Sequence, residues 1–264
     1  MISLISLQIF AHLVSDFYLQ TSKSCQNKAD NAFRSRSLYI HVLITFICSW
    51  LFSFMIGFWW AALLIALLHG LVDGLKSLFN RVPWVFFIDQ LLHIVIISSV
   101  SVLYNSTLWV ECFSPSLNTV VYFLPEWVES PVVLWATAFV FCIKPANFFI
   151  KEVLSNAHIS IPTSKTDPDG GSISIDKLGS AEDLLNAGRV IGIVERTLTL
   201  TFVLLGQYEA VGFLLAAKSI LRFNERATER SEYVLTGTLL SFGMAIMVGV
   251  LVKWLSTFLT CIYC

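Results

Sequence analysis

Long apolar runs separated by short polar stretches organise this chain. Residues 1–19, 38–58, 59–75, 84–102, 132–150, 188–205, 210–220 and 233–258 are predominantly hydrophobic, and the charged residues fall mostly between them. About 20 helical residues cross ~30 Å of hydrocarbon, so the runs have the lengths of transmembrane helices. The pattern predicts an all-α fold, a polytopic integral membrane helical bundle of seven or eight spans. The eighth span depends on residues 210–220, a run short enough to be re-entrant. Residues 1–19 lack a basic leader and a small-residue cleavage site, so they read as a span rather than a signal peptide. Gly57 marks the hinge of one tight helical hairpin and Gly206 to Glu209 the turn of another.

The same pattern divides the chain into five regions: a four-helix transmembrane half (1–104), an extracytoplasmic loop (105–130), a single helix (131–150), a cytoplasmic polar segment (151–187), and a C-terminal hairpin with a last helix (188–264). Of the 264 residues, 56% are hydrophobic and 13% charged, about half the charge of an average soluble domain. A single soluble core could not hide that much apolar surface. The net charge of −1 excludes a basic nucleic-acid binder, and six cysteines do not form a disulfide framework. With residues 20–37 placed in the cytoplasm, every Lys and Arg except Lys253 falls on or near that side, while Glu111, Glu126, Glu129 and Glu209 fall opposite.

Scarce charge makes the polar residues inside the spans informative. His12 precedes Asp16 by four positions, His69 precedes Asp73 by four, and His93 follows Asp89 by four. Residues i and i+4 share a helix face, so each pair presents an imidazole beside a carboxylate. Counting 1.5 Å per residue from the cytoplasmic ends puts all three imidazoles about 10–14 Å deep, where they can converge. His41 opens the second span on the same side and is a fourth contributor. Carboxylates in a bilayer cost about 2.5–3.5 kcal/mol each near its centre, less near its surface. One reading is a set of polar bridges between helices. The other is one or two divalent ions, Zn, Mn or Fe, held by His12, Asp16, His41, His69, Asp73, Asp89 and His93, since mixed nitrogen and oxygen donors suit these metals. In that reading Asp16, Asp73 and Asp89 are also the catalytic carboxylates, and an activated water attacks an ester or phosphoester. Gln20, Lys23, Lys76 and Gln90 lie close enough in sequence to orient a ligand or to anchor span ends.

The C-terminal half carries a second set. Glu195 and Arg196 sit inside one span as a structural bridge, and Lys218 and Arg222 share a face that offers either an anion contact or a positive-inside anchor. Gly188 and Gly192 form a GxxxG pair expected at a close helix contact. The segment beginning at Asp167 lacks the later ligands of a calcium loop and reads as a turn, the Cys261/Cys264 pair lacks a redox-site context, and Asn105 heads a glycosylation sequon that matters only in a secretory pathway.

The blocks AHLVSDFYLQ, LLHGLVDGLK and FIDQLLHI, with NAGRVIGIVERTLTL, AAKSILRFNE and EYVLTGTLLSFG further on, resemble a bacterial and phage inner-membrane family known as domain of unknown function 3307. The resemblance covers about residues 5–97 and 186–245. It implies a multi-pass protein of the bacterial inner (cytoplasmic) membrane and brings no activity. In pattern alone the chain is also similar to membrane-bound metal-dependent hydrolases, which place His and Asp on transmembrane helices. The expectation is therefore a membrane hydrolase using a divalent metal at the cytoplasmic face, with membrane lipid as surroundings and a lipid-linked or phosphorylated substrate. The alternative is a transporter or sensor using the same cluster for protons or metal ions.

Overall fold

The computed structural model describes residues 2–79, 84–105, 131–157, 175–223 and 229–263, with side chains from residue 3 onward except those of 175–187, 221–223, 229–234 and 259–263. Helices account for nearly all of them, as the apolar runs predict, and no strand occurs among the described residues. The chain forms two units, Met1–Val140 with Leu259–Cys264, and Phe141–Phe258.

In the first unit α1 (Ile2–Leu13) runs directly into one π-helical turn, Val14–Tyr18, which closes with the Leu19 amide donating to the Val14 carbonyl at 3.0 Å. A short polar helix follows, α2 (Ser22–Asn31), its first turn capped by the Thr21 hydroxyl accepting from the Ser24 amide. Then come α3 (Arg36–Ser53), α4 (Trp59–Lys76) and α5 (Val85–Tyr104). The α3–α4 hairpin turns at Phe54, held in the left-handed region at φ 55°, a few residues before the expected hinge at Gly57.

Helices α1, α3, α4 and α5 pack in a closed ring, each against two neighbours, and α2 lies on α3. Their buried faces recur every three or four residues: His41, Thr45, Cys48 and Ser49 on α3, Ala62, Ile65, Ala66, His69 and Asp73 on α4, and Asp89, His93, Ile97 and Val100 on α5. One end of the ring is an apolar core of Leu4, Phe58, Ala61, Ala62, Ile65 and Ile97. Below it Gln8 donates to the Ser49 carbonyl at 3.0 Å and accepts from the Ser49 hydroxyl at 2.5 Å. Past that polar layer come the histidines. The outward faces carry Ile40, Leu43 and Ile47 on α3, Leu63, Leu67 and Leu71 on α4, and Leu91 and Val95 on α5, all exposed. Soluble monomers rarely expose apolar surface so continuously.

Helix α6 (Val132–Ile143) passes from the first unit into the second and meets α7 (Pro145–Asn156) at 47°. Pro145 supplies no amide hydrogen and its ring clashes with a preceding helical carbonyl, so the expected single span over 132–150 is bent. The second unit continues through α8 (Ile175–Leu205), α9 (Tyr208–Phe223) and α10 (Glu229–Tyr263). Gly206, at φ 76°, makes the expected turn between α8 and α9.

Among the described residues, four helical segments are long and apolar enough to cross a membrane, Arg36–Ser53, Ile56–Lys76, Val85–Tyr104 and Leu235–Phe258, and the bent α6–α7 pair makes a fifth if counted as one. This is fewer than the seven or eight expected. The first run yields 12 α-helical residues and a five-residue π turn, α9 has 16 residues, and Arg189, Glu195 and Arg196 interrupt the apolar part of α8.

Candidate metal centre

Each site residue reaches the ring interior through its own helix. On α4 the spacing of Gly70 and Gly74 lets α3 and its preceding turn approach closely. A Cβ at Gly70 would fall 2.4 Å from Val42 Cγ2, and one at Gly74 would fall 2.2 Å from Phe33 Cε1. These contacts bring His41, next to Val42, against His69, next to Gly70: the two Nε2 atoms are 3.0 Å apart. On α1 the π turn carries Asp16, and the Ser15 hydroxyl steadies it at 3.1 Å. Single π turns are rare and concentrate at functional sites.

Asp16 is the hub. Its Oδ1 lies 3.5 Å from His12 Nδ1, 3.3 Å from His41 Nε2 and 3.4 Å from His69 Nε2. Asp73 Oδ2 lies 3.6 Å from His41 Nε2 and 3.9 Å from His69 Nε2. His41 Nε2 and His69 Nε2, 3.0 Å apart, thus each lie 3.3–3.9 Å from both Asp16 Oδ1 and Asp73 Oδ2. A tetrahedron of donors with metal bonds of about 2.0–2.1 Å has edges of about 3.3–3.4 Å. The donor set and its spacing fit a divalent transition metal.

His12 and His93 extend the cluster toward α5. Ring centroids stand 5.4 Å apart for His12 and His69, 5.2 Å for His12 and His93, and 3.9 Å for the stacked pair His69 and His93. His12 Nε2 approaches Gln90 Oε1 at 3.4 Å, and Gln90 Nε2 donates to Asp89 Oδ2 at 3.2 Å. The i, i+4 partner His93 Nδ1 is 3.9 Å from Asp89 Oδ2, beyond hydrogen-bond reach. Among the described residues, three overlapping groups have the spacing to hold a metal ion: His12, Asp16, His69 and His93; His41, His69 and Asp73; and Asp73, Asp89 and His93. All seven residues expected from sequence come together here.

Two lysines serve the carboxylates. Lys28 of α2 bonds Asp73 Oδ2, and Lys76 donates to Asp89 Oδ2 at 2.7 Å. Three carboxylates therefore meet two ammonium groups, which leaves negative charge for a cation to offset. Several buried atoms also lack any hydrogen bond: His12 Nδ1, His41 Nδ1, both ring nitrogens of His93, and Asp89 Oδ1. Buried polar atoms are ordinarily satisfied, so this many unsatisfied atoms on neighbouring residues mark a candidate ligand site.

Lys28 was not legible as a site residue, because α2 reads as a solvent-facing polar helix; Lys23, expected on the His12/Asp16 face, is exposed. The π turn ends the face that would have carried it. Among the described residues, helices approach closely at Gly70 and Gly74, and at Gly249, but not at the expected Gly188 and Gly192: nothing described stands within 4 Å of a Cβ at Gly188, and only the Arg196 side chain approaches Gly192.

In the second unit Arg196 is buried and fully engaged, with Nε donating to the Cys142 carbonyl at 2.9 Å, Nη1 to the Ser241 hydroxyl at 3.0 Å and Nη2 to Asn147 Oδ1 at 2.6 Å. Glu195 pairs with Lys218, whose ammonium also lies 5.5 Å from the Phe242 ring centroid. Glu195 and Arg196 thus turn to different partners, and Lys218 is occupied by a carboxylate. The Arg222 side chain, residues 106–130, the turn at 167–171 and Cys264 lie outside the described residues.

Residues 4–120 match the family model described as "Protein of unknown function (DUF3307)". The match takes in every residue of the His/Asp cluster with Lys28 and Lys76, as the resemblance of the N-terminal blocks implies; the blocks over 186–245 lie beyond the matched residues. No curated protein and no solved structure matches the chain.

Proposed function

We propose that this chain is a multi-pass protein of the bacterial inner membrane that hydrolyses a lipid-linked or phosphorylated substrate with a divalent metal, Zn, Mn or Fe, at its cytoplasmic face. The observation that carries the reading is the approach of Asp16 Oδ1 and Asp73 Oδ2 to His41 Nε2 and His69 Nε2: each oxygen lies 3.3–3.9 Å from both nitrogens, which are 3.0 Å apart. A divalent ion bound there would lower the pKa of a coordinated water toward 7 and supply a nucleophile. The residues of the chain do the rest. His12 and Gln90 adjoin the cluster, Lys28 pairs with Asp73, and Ser15 holds Asp16. A carboxylate oxygen has lone pairs enough to accept from a lysine and bind a metal together.

A groove of about 380 Å³ between α4 and α5 supports the lipid-linked class. Val72, Leu75, Ile88 and Leu92 line it, and Lys76 and Asp89 are set into the same wall. An acyl chain lying there would bring its polar head to the Lys76 ammonium and to the edge of the cluster. The transport or sensing alternative draws on the burial of His41, His69 and His93, each about 2% exposed or less.

The test is metal content of the detergent-purified chain, wild type against His69→Ala, followed by phosphoester and ester turnover of the metal-loaded protein. Bound metal in the wild type, lost in the variant, with turnover that needs it, is the expected result. Wild-type protein without transition metal after chelator-free purification overturns the reading; metal without turnover moves transport or sensing ahead.

A further inference from the structure

We infer that the cluster is built for two ions, the second held by Asp73, Asp89 and His93. This rests on the metal-dependent reading of the first position and extends it. One ligand atom each from Asp73, Asp89 and His93 falls within 4.8 Å of the others, as does one each from His41, His69 and Asp73. The two triads share only Asp73, and a carboxylate has two oxygens with which to serve two ions. Hydrolytic two-metal sites hold their ions about 3.5–4 Å apart, close enough for one carboxylate to reach both.

The open donors make the stronger argument. His93 is 1% exposed and neither of its ring nitrogens has a hydrogen-bond partner, and Asp89, 3% exposed, leaves Oδ1 bare although Lys76 and Gln90 both contact Oδ2. An ordinary i, i+4 pair within α5 would place His93 within bonding distance of Asp89; the two stop at 3.9 Å, and the His93 imidazole stacks instead on the His69 ring of α4. Left bare, such buried groups destabilise a fold. A second ion satisfies an imidazole nitrogen and Asp89 Oδ1 together.

Charge then narrows the substrate. Two divalent ions with Lys28 and Lys76, against Asp16, Asp73 and Asp89, leave the centre strongly positive. A dianionic phosphoryl group offsets that surplus, and a neutral carboxylic ester does not. Asp89 lies in the wall of the α4–α5 groove, so the second ion would stand where the polar head of a groove-bound lipid arrives. The geometry points to a phosphoester of an acyl-bearing lipid as the substrate class.

The full chain, purified in detergent and loaded with Mn(II) or Zn(II), tests this by metal-to-protein ratio. The expected values are two ions per wild-type chain and one in Asp89→Asn and in His93→Gln. Because a variant can fail to fold, wild-type Mn(II) protein is also read by electron paramagnetic resonance, where two ions sharing Asp73 give an exchange-coupled spectrum. One ion per wild-type chain with an uncoupled spectrum overturns the second site and leaves the hydrolase reading standing. Two ions retained in both variants also overturn the assignment to Asp89 and His93. No ion in the wild type overturns both readings together.

Discussion

Buried charge is handled in opposite ways by the two units. Around Arg196 the three kinds of guanidinium nitrogen each donate to an acceptor, from Cys142, Asn147 and Ser241, and Glu195 nearby has its own lysine. Around Asp16 and Asp73 the groups crowd together while His12, His41, His93 and Asp89 keep atoms without partners. The first arrangement is closed; it joins α6, α7, α8 and α10 and asks nothing further. The second is open, and an open set of buried donors in a protein interior is stable only with something to bind or with strong packing behind it. Both regions carry charged residues on apolar helices, so charge alone does not distinguish a joint from a site. Hydrogen-bond completeness does.

The sharpest way to break that distinction is His69→Ala. Loss of a group near the hub should lower metal affinity by more than the 10- to 100-fold typical of supporting residues, measured by metal content after dialysis against a weak chelator, with a drop in Tm from the cavity left by the buried ring. Arg196→Met should differ in sparing the metal. It strips three acceptors of their donor at about 1–3 kcal/mol each, lowering Tm in detergent, with metal content unchanged; a loss of metal with retained Tm would erase the contrast. Gly70→Ala should affect both readouts, because a methyl group 2.4 Å from Val42 must push α3 and His41 away from His69, destabilising by about 1–3 kcal/mol and weakening metal binding. Lys28→Met, which removes a competing cation from Asp73, should tighten metal binding several-fold, on the ~1 kcal/mol scale of a partly exposed ion pair; weaker binding would recast Lys28 as the group that orients Asp73.

The smallest effect concerns access. Cys25 is exposed on α2, three residues before Lys28, and partial desolvation of its thiol raises its pKa above the ordinary value with Lys28 opposing. The thiolate reacts, so maleimide labelling of intact membranes should be slow at neutral pH and still be rising near pH 9. In inverted vesicles it should be faster than in right-side-out ones, and equal rates in the two would remove the cytoplasmic placement of α2.

Much of the site could be read from sequence because helical geometry is local. Four-residue spacing alone puts His12 beside Asp16 and His69 beside Asp73, and depth along each span brings three helices level. What could not be read was what happens between helices. Lys28 arrives on a long flexible stem from a polar helix, and nothing in its neighbours marks it as turned inward. The approach of α3 to α4 depends on two missing side chains, Gly70 and Gly74, whereas the GxxxG spacing at Gly188 and Gly192 looks the same in sequence and makes no such contact. Of the fold, the apolar runs were legible and their continuity was not, since a π turn, Pro145 and the charges of α8 decide which runs are long enough to cross.

The π turn has a consequence for how this centre could change. An α-helix advances about 100° per residue, so deleting one residue from Val14–Tyr18 would restore ordinary helical pairing and swing either Asp16 or everything before it around the axis by roughly that angle. Length and chemistry are thus locked together at this point of α1: the spare residue acts as an indexing notch. Lineages that keep Asp16 in the cluster would have to keep the notch, while deletion of the single codon for Val14 would switch the hub off without altering one side chain of the site.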